Sequence, residues 1–140
     1  MIKNKFMALT LTVVLTAGML TGCGSGDKAK DKDAYRQYGI NCIENGSYDD
    51  AVDAFQKALD QSVGSVGAEE LDICYYKAKA QYLSGDVDGA IDTYTAIIDY
   101  NKDSDAYYLR GCIYFAKNDS DKGLKDFKLS LIHISEPTRH

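Results

Sequence analysis

Three segments of this chain repeat the same arrangement of small and aromatic residues. They span residues 34–59, 73–98 and 106–131 and align without gaps. Self-similarity at a fixed period is the signature of repeat architectures, in which each copy is one supersecondary unit. The matched columns are a first small residue (Gly39, Ala78, Gly111), a second small residue (Ala51, Ala90, Gly123) and an aromatic residue (Phe55, Tyr94, Phe127).

Each column predicts one feature of a helix pair. Small side chains let two antiparallel helices approach closely, and the aromatic ring fills the space beneath their crossing. Between the small columns comes a residue suited to positive φ, which ends a helix, and then a residue suited to an N-cap. Because apolar residues recur at three- and four-residue intervals throughout, we predict an all-α chain. The helix breaks are Gly46–Ser47, Gly85–Asp86 and Asn118–Asp119.

The repeats resemble the tetratricopeptide repeat, a helix pair of about 34 residues. The resemblance covers residues 33–128 and implies a repeat domain over 34–128, built as a short right-handed solenoid of three antiparallel helix pairs. Tyr35 and Tyr107 match the bulky residue that opens the first helix, whereas Cys74 replaces it in the second copy. The sequence also departs from the family through the inserted loop at 62–67 and through the lack of a proline that closes a repeat.

In this family the first helices of the pairs line a concave groove that grips a peptide or a helix. The resemblance therefore implies a groove for a protein partner, although some of its aromatic residues could instead only pack between repeats. The family's clamp for C-terminal carboxylates needs a set of Lys, Asn and Arg that Arg36 and Lys79 alone do not supply. The expected groove residues are Arg36, Ile40, Ile43, Tyr75, Lys79, Tyr82, Tyr108, Cys112 and Phe115.

The N-terminus has the pattern of a secretory signal. Lys3 and Lys5 precede an uncharged, mostly apolar run over 6–20, and Leu-Thr-Gly-Cys follows at 20–23. The run is shorter than the roughly 20 apolar residues of a membrane span. Residues 20–23 resemble the lipobox of bacterial lipoproteins. The resemblance implies a signal peptide over 1–22, cleavage before Cys23, and diacylglycerol and acyl lipid on Cys23 as palmitate-type anchors.

Residues 23–33 combine the lipidated cysteine with a segment rich in Gly, Ser, Lys and Asp. Such a composition buries little apolar surface, so we predict a flexible tether. The mature chain would then sit close to a membrane, either on the outer face of the cytoplasmic membrane or on the periplasmic side of an outer membrane. The formal net charge of −5 argues against nucleic acid as a partner.

The C-terminal segment differs in composition from the rest of the chain. Both histidines and the only proline lie in the last eight residues. Residues 129–139 read as the translation of a transposase sequencing adapter, so we interpret 129–140 as an adapter-derived tail on a truncated gene. A natural tail is the alternative interpretation.

Candidate chemistry is sparse. Acidic pairs such as Asp49 and Asp50 stand near helix starts, where carboxylates favour the positive end of the dipole. The Asp-rich loops lack the pattern of a calcium-binding loop, so we expect no metal, no cofactor beyond the lipid, and no catalytic residue. The three cysteines of the repeats are expected to be small buried hydrophobes, with a Cys42–Cys74 disulfide as the alternative.

These features predict a membrane-anchored, non-enzymatic adaptor or scaffold that binds a protein at the cell envelope. The alternative is an N-terminal repeat module of a longer envelope protein that carries an enzyme domain downstream. A self-assembling array is a third hypothesis. The complete gene would discriminate the first two, since further repeats favour the adaptor and a following α/β domain favours the enzyme.

Overall fold

The computed structural model describes residues 25–135 except 63 and 65, and these residues form six α-helices and no strand. Each helix packs on the next one along the chain, so the helices form three consecutive pairs. The predicted all-α architecture of stacked helix pairs is confirmed. The helices are α1 (Ser25–Glu44), α2 (Tyr48–Asp60), α3 (Ala68–Ser84), α4 (Val87–Asn101), α5 (Ser104–Ala116) and α6 (Ser120–Ser135).

The small columns lie at the helix crossings, as the repeat alignment predicts. Ala51 and Ala90 are fully buried, and Gly123 is buried as well. A Cβ atom on Gly39 would come within 2.7 Å of the Phe55 ring, and this position leaves no room for a side chain. The alignment of the three copies is therefore correct in three dimensions.

The helix breaks follow the predicted chemistry in most places. Gly46, Gly85 and Asn118 all adopt positive φ, at 77°, 92° and 61°. The Asp86 carboxylate accepts a hydrogen bond from the Gly89 N–H at 3.0 Å and caps α4. Asp119 accepts from the Lys122 N–H at 3.3 Å at the start of α6.

One predicted cap is wrong and one cap was not predicted. Ser47 precedes α2, but its side chain makes no capping hydrogen bond. Asp103 caps α5, because its carboxylate accepts from the backbone N–H groups of Asp105 and Ala106 at 2.9 and 3.2 Å. Asp103 lies outside the aligned columns, so the repeat pattern gave no reason to single it out.

The apolar core is divided between the repeats, as expected where each pair packs only on its neighbours. One cluster joins α1, α2 and α3 around Phe55 and Ile73, and a second joins α3, α4 and α5 around Tyr94 and Ile97. Tyr107 in α5 is buried at 7% exposure because α4 and α6 cover it, whereas the matching Tyr35 in α1 is 36% exposed. In the described residues no preceding pair covers Tyr35.

The flexible tether predicted over 23–33 is wrong from Ser25 onward, because α1 begins there. Extending a helix that is already nucleated costs little, and Ala and Lys are good helix formers. The Lys32 ammonium also pairs with the carboxylates of Glu69 and Glu70 on α3, which holds this turn against the stack. The low apolar content predicted a flexible segment, whereas the first helix continues through it.

Two predicted segments lie wholly or partly outside the described residues. Residues 1–24, with the signal peptide and Cys23, and residues 136–140 are not described. Residues 129–135 continue α6, where Ser130 is buried and the His133 ring stacks on Tyr107 at 5.7 Å between centroids. Nothing in these contacts tests the adapter interpretation, which stays a prediction. None of the helices in the described part of the chain is long and apolar enough to span a membrane.

Candidate binding groove

The first helices of the three pairs, α1, α3 and α5, are not evenly spaced. Helix α1 approaches α3 closely, whereas no Cα atom of α3 lies within 8 Å of a Cα atom of α5. The gap forms a cavity of about 490 Å³, which we name the α3–α5 cavity. This volume is in the usual range for ligand sites. Its lining residues are Asp72, Tyr75, Tyr76, Lys79, Tyr82, Tyr94, Leu109, Cys112 and Ile113.

Tyr75 on α3 and Tyr94 on α4 form one wall of the α3–α5 cavity. The centroids of their rings lie 6.0 Å apart at an interplanar angle of 58°, in the tilted arrangement that aromatic pairs favour. The Tyr75 hydroxyl donates a hydrogen bond to the Asp103 carboxylate at 2.5 Å. Burial, together with this bond, raises the pKa of Tyr75, and burial raises the pKa of Tyr94 to about 12. Both phenols are therefore neutral at physiological pH.

Asp103 thus joins two parts of the molecule. Its carboxylate caps the start of α5 and also accepts from Tyr75 on α3. The link positions α5 relative to α3 although the two backbones do not touch. The cavity is therefore a gap between α3 and α5, which are linked by this hydrogen bond at the N-terminus of α5.

The charged residues at the edge of the α3–α5 cavity differ in their pairing. The Arg36 guanidinium donates to the Asp72 carboxylate through Nε at 2.8 Å and through Nη2 at 2.5 Å. The hydrogen bond to Asp72 raises the pKa of Arg36. Lys79 is exposed and lines the cavity, and among the described residues its ammonium has no hydrogen-bond or ion-pair partner. The cavity edge therefore presents one free positive charge.

The structure brings together about half of the predicted groove residues. Tyr75, Lys79, Tyr82 and Cys112 line the α3–α5 cavity. Arg36 reaches its edge through Asp72.

The other predicted groove residues lie elsewhere. Ile40 and Ile43 are partly buried against the first core cluster and do not line the α3–α5 cavity. Tyr108 and Phe115 stack on the Phe127 ring of α6 at 5.4 and 5.2 Å between centroids. Tyr108 is 54% exposed but does not line the cavity.

The sequence interpretation missed five cavity residues, namely Asp72, Tyr76, Tyr94, Leu109 and Ile113. Tyr94 was assigned only as a filler beneath the helix crossing. Leu109, Cys112 and Ile113 share one face of α5 at helical spacing, and this spacing could have identified them. The aligned columns of the repeats do not predict how far apart α3 and α5 lie.

Metal ligands and thiols are the remaining candidates for chemistry in the repeats. Within the described part of the chain, no group of three or more His, Cys, Asp or Glu side chains could hold a metal ion. Cys42, Cys74 and Cys112 are free thiols, so the alternative Cys42–Cys74 disulfide is not formed. Burial raises the pKa of Cys74. Cys112 is exposed on the cavity wall, contrary to the expectation that all three cysteines are buried.

Comparison with known families agrees with this architecture. Two models, both described as tetratricopeptide repeat, match residues 43–111 and 104–131. Together they cover more than half of the 140-residue chain. The chain therefore belongs to the tetratricopeptide-repeat family, a class of helical repeat proteins.

Comparison with solved structures supports the same fold. The crystal structure of MamA is similar, with a TM-score of 0.61 and 22% sequence identity. The match covers 74% of this chain and 58% of the MamA chain, so this chain spans less than two thirds of that protein. At this identity the similarity concerns the fold alone. No curated protein sequence matches this chain significantly.

Proposed function

We propose that this chain is a membrane-anchored tetratricopeptide-repeat lipoprotein that serves as a protein-binding adaptor or scaffold at the cell envelope. The observation that carries the binding function is the α3–α5 cavity, an apolar gap of about 490 Å³ between two first helices. Repeat stacks of this kind use their concave surface for extended binding partners. The adaptor would hold a partner polypeptide in this gap.

The composition of the cavity supports a polypeptide as the ligand. Tyr75 and Tyr82 supply large contact areas with few rotatable bonds, and tyrosine is enriched among the residues that dominate binding energy. Tyr82 is 42% exposed, so its ring is available to a ligand at the edge of the cavity. A partner segment could therefore place a side chain in the cavity and lie along α3.

The membrane anchor rests on the N-terminal sequence. The charged start, the apolar run at 6–20 and the lipobox-like residues 20–23 support lipid attachment at Cys23. Two acyl chains give stable anchoring where one gives only reversible binding. The proposed location is the outer face of the cytoplasmic membrane or the periplasmic side of an outer membrane.

Site-directed photo-crosslinking in bacteria that express the full chain tests the binding function. A photoreactive phenylalanine analogue in place of Tyr82 should crosslink to a discrete polypeptide, whereas the same analogue in place of Tyr100, which is exposed on α4, should not. Cys112→Trp should fill the cavity and abolish the crosslink while leaving the melting temperature unchanged. Equal crosslinking at both positions, or crosslinking insensitive to Cys112→Trp, would refute the proposal.

The lipid anchor has its own test. Cys23→Ala should accumulate as an uncleaved precursor that takes up no radiolabelled fatty acid, because the acceptor sulfur is missing. Cys42→Ala serves as the matched control and should be processed and labelled like the parent chain. Normal processing of Cys23→Ala would show that residues 20–23 are not a lipobox.

A further inference from the structure

We propose that the α3–α5 cavity recognises a large apolar side chain flanked by an Asp or Glu side chain, whose carboxylate pairs with Lys79. The occupant is an acidic, apolar-anchored segment within a partner protein. This inference rests on the proposed binding function and names the chemistry of the ligand.

The charge distribution argues for an acidic partner. The chain as a whole carries a formal net charge of −5, and a surface of that sign repels acidic segments in general. At the cavity the balance differs, because Arg36 occupies the carboxylate of Asp72 while Lys79 has no partner among the described residues. Of the two charged residues that line the cavity, Asp72 is paired with Arg36, so the charge left for a ligand at this edge is the positive charge of Lys79.

The cavity walls argue for an apolar anchor. The hydroxyl of Tyr75 is already committed to Asp103, so its ring, and not its donor, is what a ligand contacts. The facing wall on α5 consists of Leu109, Cys112 and Ile113, which offer no strong hydrogen-bonding group. A polar side chain placed against these α5 residues would lose its hydration without gaining a partner there, whereas an apolar side chain gains burial.

The carboxylate is assigned to a side chain and not to a chain terminus. A terminal carboxylate carries two oxygens beside the last peptide group, and its recognition requires several converging donors. Here Arg36 is engaged by Asp72, and one ammonium remains at the cavity. One flexible cation suits a single side-chain carboxylate that lies at the edge of an otherwise apolar contact.

Selection from a random peptide library tests this specificity. The library is displayed within a loop of a carrier protein, so that no peptide has a free C-terminus, and the bait is the full chain in lipid nanodiscs. Selected peptides should be enriched in a large apolar residue adjacent to Asp or Glu. Their binding should weaken roughly fivefold with Lys79→Glu. The control Lys125→Glu, an equal change of charge on the exposed face of α6, should leave binding unchanged.

Reversing both charges sharpens the test. Replacing the acidic residue of a selected peptide with Lys should restore its binding to the Lys79→Glu variant. Enrichment of apolar residues without acidic ones, or equal binding by parent and Lys79→Glu, would overturn this inference and leave the groove function intact. Selected peptides whose binding is insensitive to Cys112→Trp, or no selected peptides at all, would count against the groove function itself.

Discussion

The two places where one repeat meets the next differ in how closely they pack. At the first junction, between α1 and α3, the helices touch, and ion pairs of Lys32 and Arg36 with α3 carboxylates bridge them. At the second junction, between α3 and α5, the backbones stay apart and leave the α3–α5 cavity. Within the described part of the chain, the side-chain hydrogen bond across this junction runs from Tyr75 to Asp103, and both helices also contribute to the second core cluster.

The linkers give a physical reason for the difference. Residues 61–67 separate α2 from α3, and a linker of this length lets α3 settle against α1. Only Lys102 and Asp103 separate α4 from α5, and Lys102 adopts a positive φ of 57°. The short linker keeps the start of α5 close to the end of α4, and the α3–α5 cavity lies at this junction.

The open junction predicts that α5 depends on α4 and α6 for its position. The Arg110 guanidinium donates to both carboxylate oxygens of Asp126 on α6 and to the Thr95 hydroxyl on α4. Asp126 is 2% exposed. Asp126→Ala leaves a largely buried cation without its partner, and it should lower the free energy of unfolding by about 3–5 kcal/mol.

Urea denaturation measures this loss, with Lys125→Ala on the exposed face of α6 as the control. The control should change stability by less than about 0.5 kcal/mol. A loss below about 1 kcal/mol for Asp126→Ala would mean that the Arg110 network does not hold α5 in place.

The crossing inside the third helix pair gives the next largest expected effect. A Cβ atom on Gly111 would lie 2.8 Å from the Phe127 ring. Gly111→Leu should therefore separate α5 from α6 and lower the free energy of unfolding by roughly 1–3 kcal/mol through overpacking. Ala116→Leu, at an exposed position of α5, is the control. A Gly111→Leu melting temperature equal to that of the parent would show that this crossing tolerates bulk.

The sequence predicted the features that each repeat carries within itself. The helix ends need a residue that tolerates positive φ, and Gly46, Gly85 and Asn118 occupy these positions. The helix crossings need a small residue, and Ala51 and Ala90 are buried there. Because each repeat has the same local requirements, the same residue types recur at matching positions of the three copies. The order of helices and their pairing therefore followed from the columns.

The candidate site was predicted only in part, because it depends on spacing between repeats. Ile40 and Ile43 pack against the first core cluster and do not line the α3–α5 cavity, and no repeat column encodes the spacing between first helices. Lys32 in the first turns of α1 pairs with Glu70 on α3, a contact across 38 residues that composition does not encode. The contacts between repeats depend on the linkers and on individual side chains, and the repeat pattern contains neither.

The bridges of the two junctions should respond differently to salt. Tyr75→Phe removes one hydrogen bond to a carboxylate and should cost about 1–2 kcal/mol of unfolding free energy, with little dependence on ionic strength. Arg36→Gln removes a half-exposed ion pair and should cost less than about 1 kcal/mol, declining as salt screens the charges. Urea denaturation at low and high salt checks both. Equal salt responses would remove this distinction between the junctions.

The smallest expected effect is a pH dependence of the first junction. The Lys32 ammonium, and then the Gly67 backbone N–H, lower the pKa of Glu70 from 4.5 to about 2. A carboxyl with a depressed pKa in the folded state stabilises the fold above its unfolded pKa and loses that contribution as the pH falls through the folded value.

The parent should therefore be more stable than Glu70→Gln by at most about 1 kcal/mol near neutral pH, and the difference should shrink as the pH falls from about 4.5 to about 2. Urea denaturation across this range measures it. In a Lys32→Met background the difference near neutral pH should be smaller, because the main cause of the shift is gone. A parent-to-variant difference that stays constant down to pH 2 would mean that Glu70 makes no ionised contact with α1, and the closed junction would then rest on Arg36 and apolar packing alone.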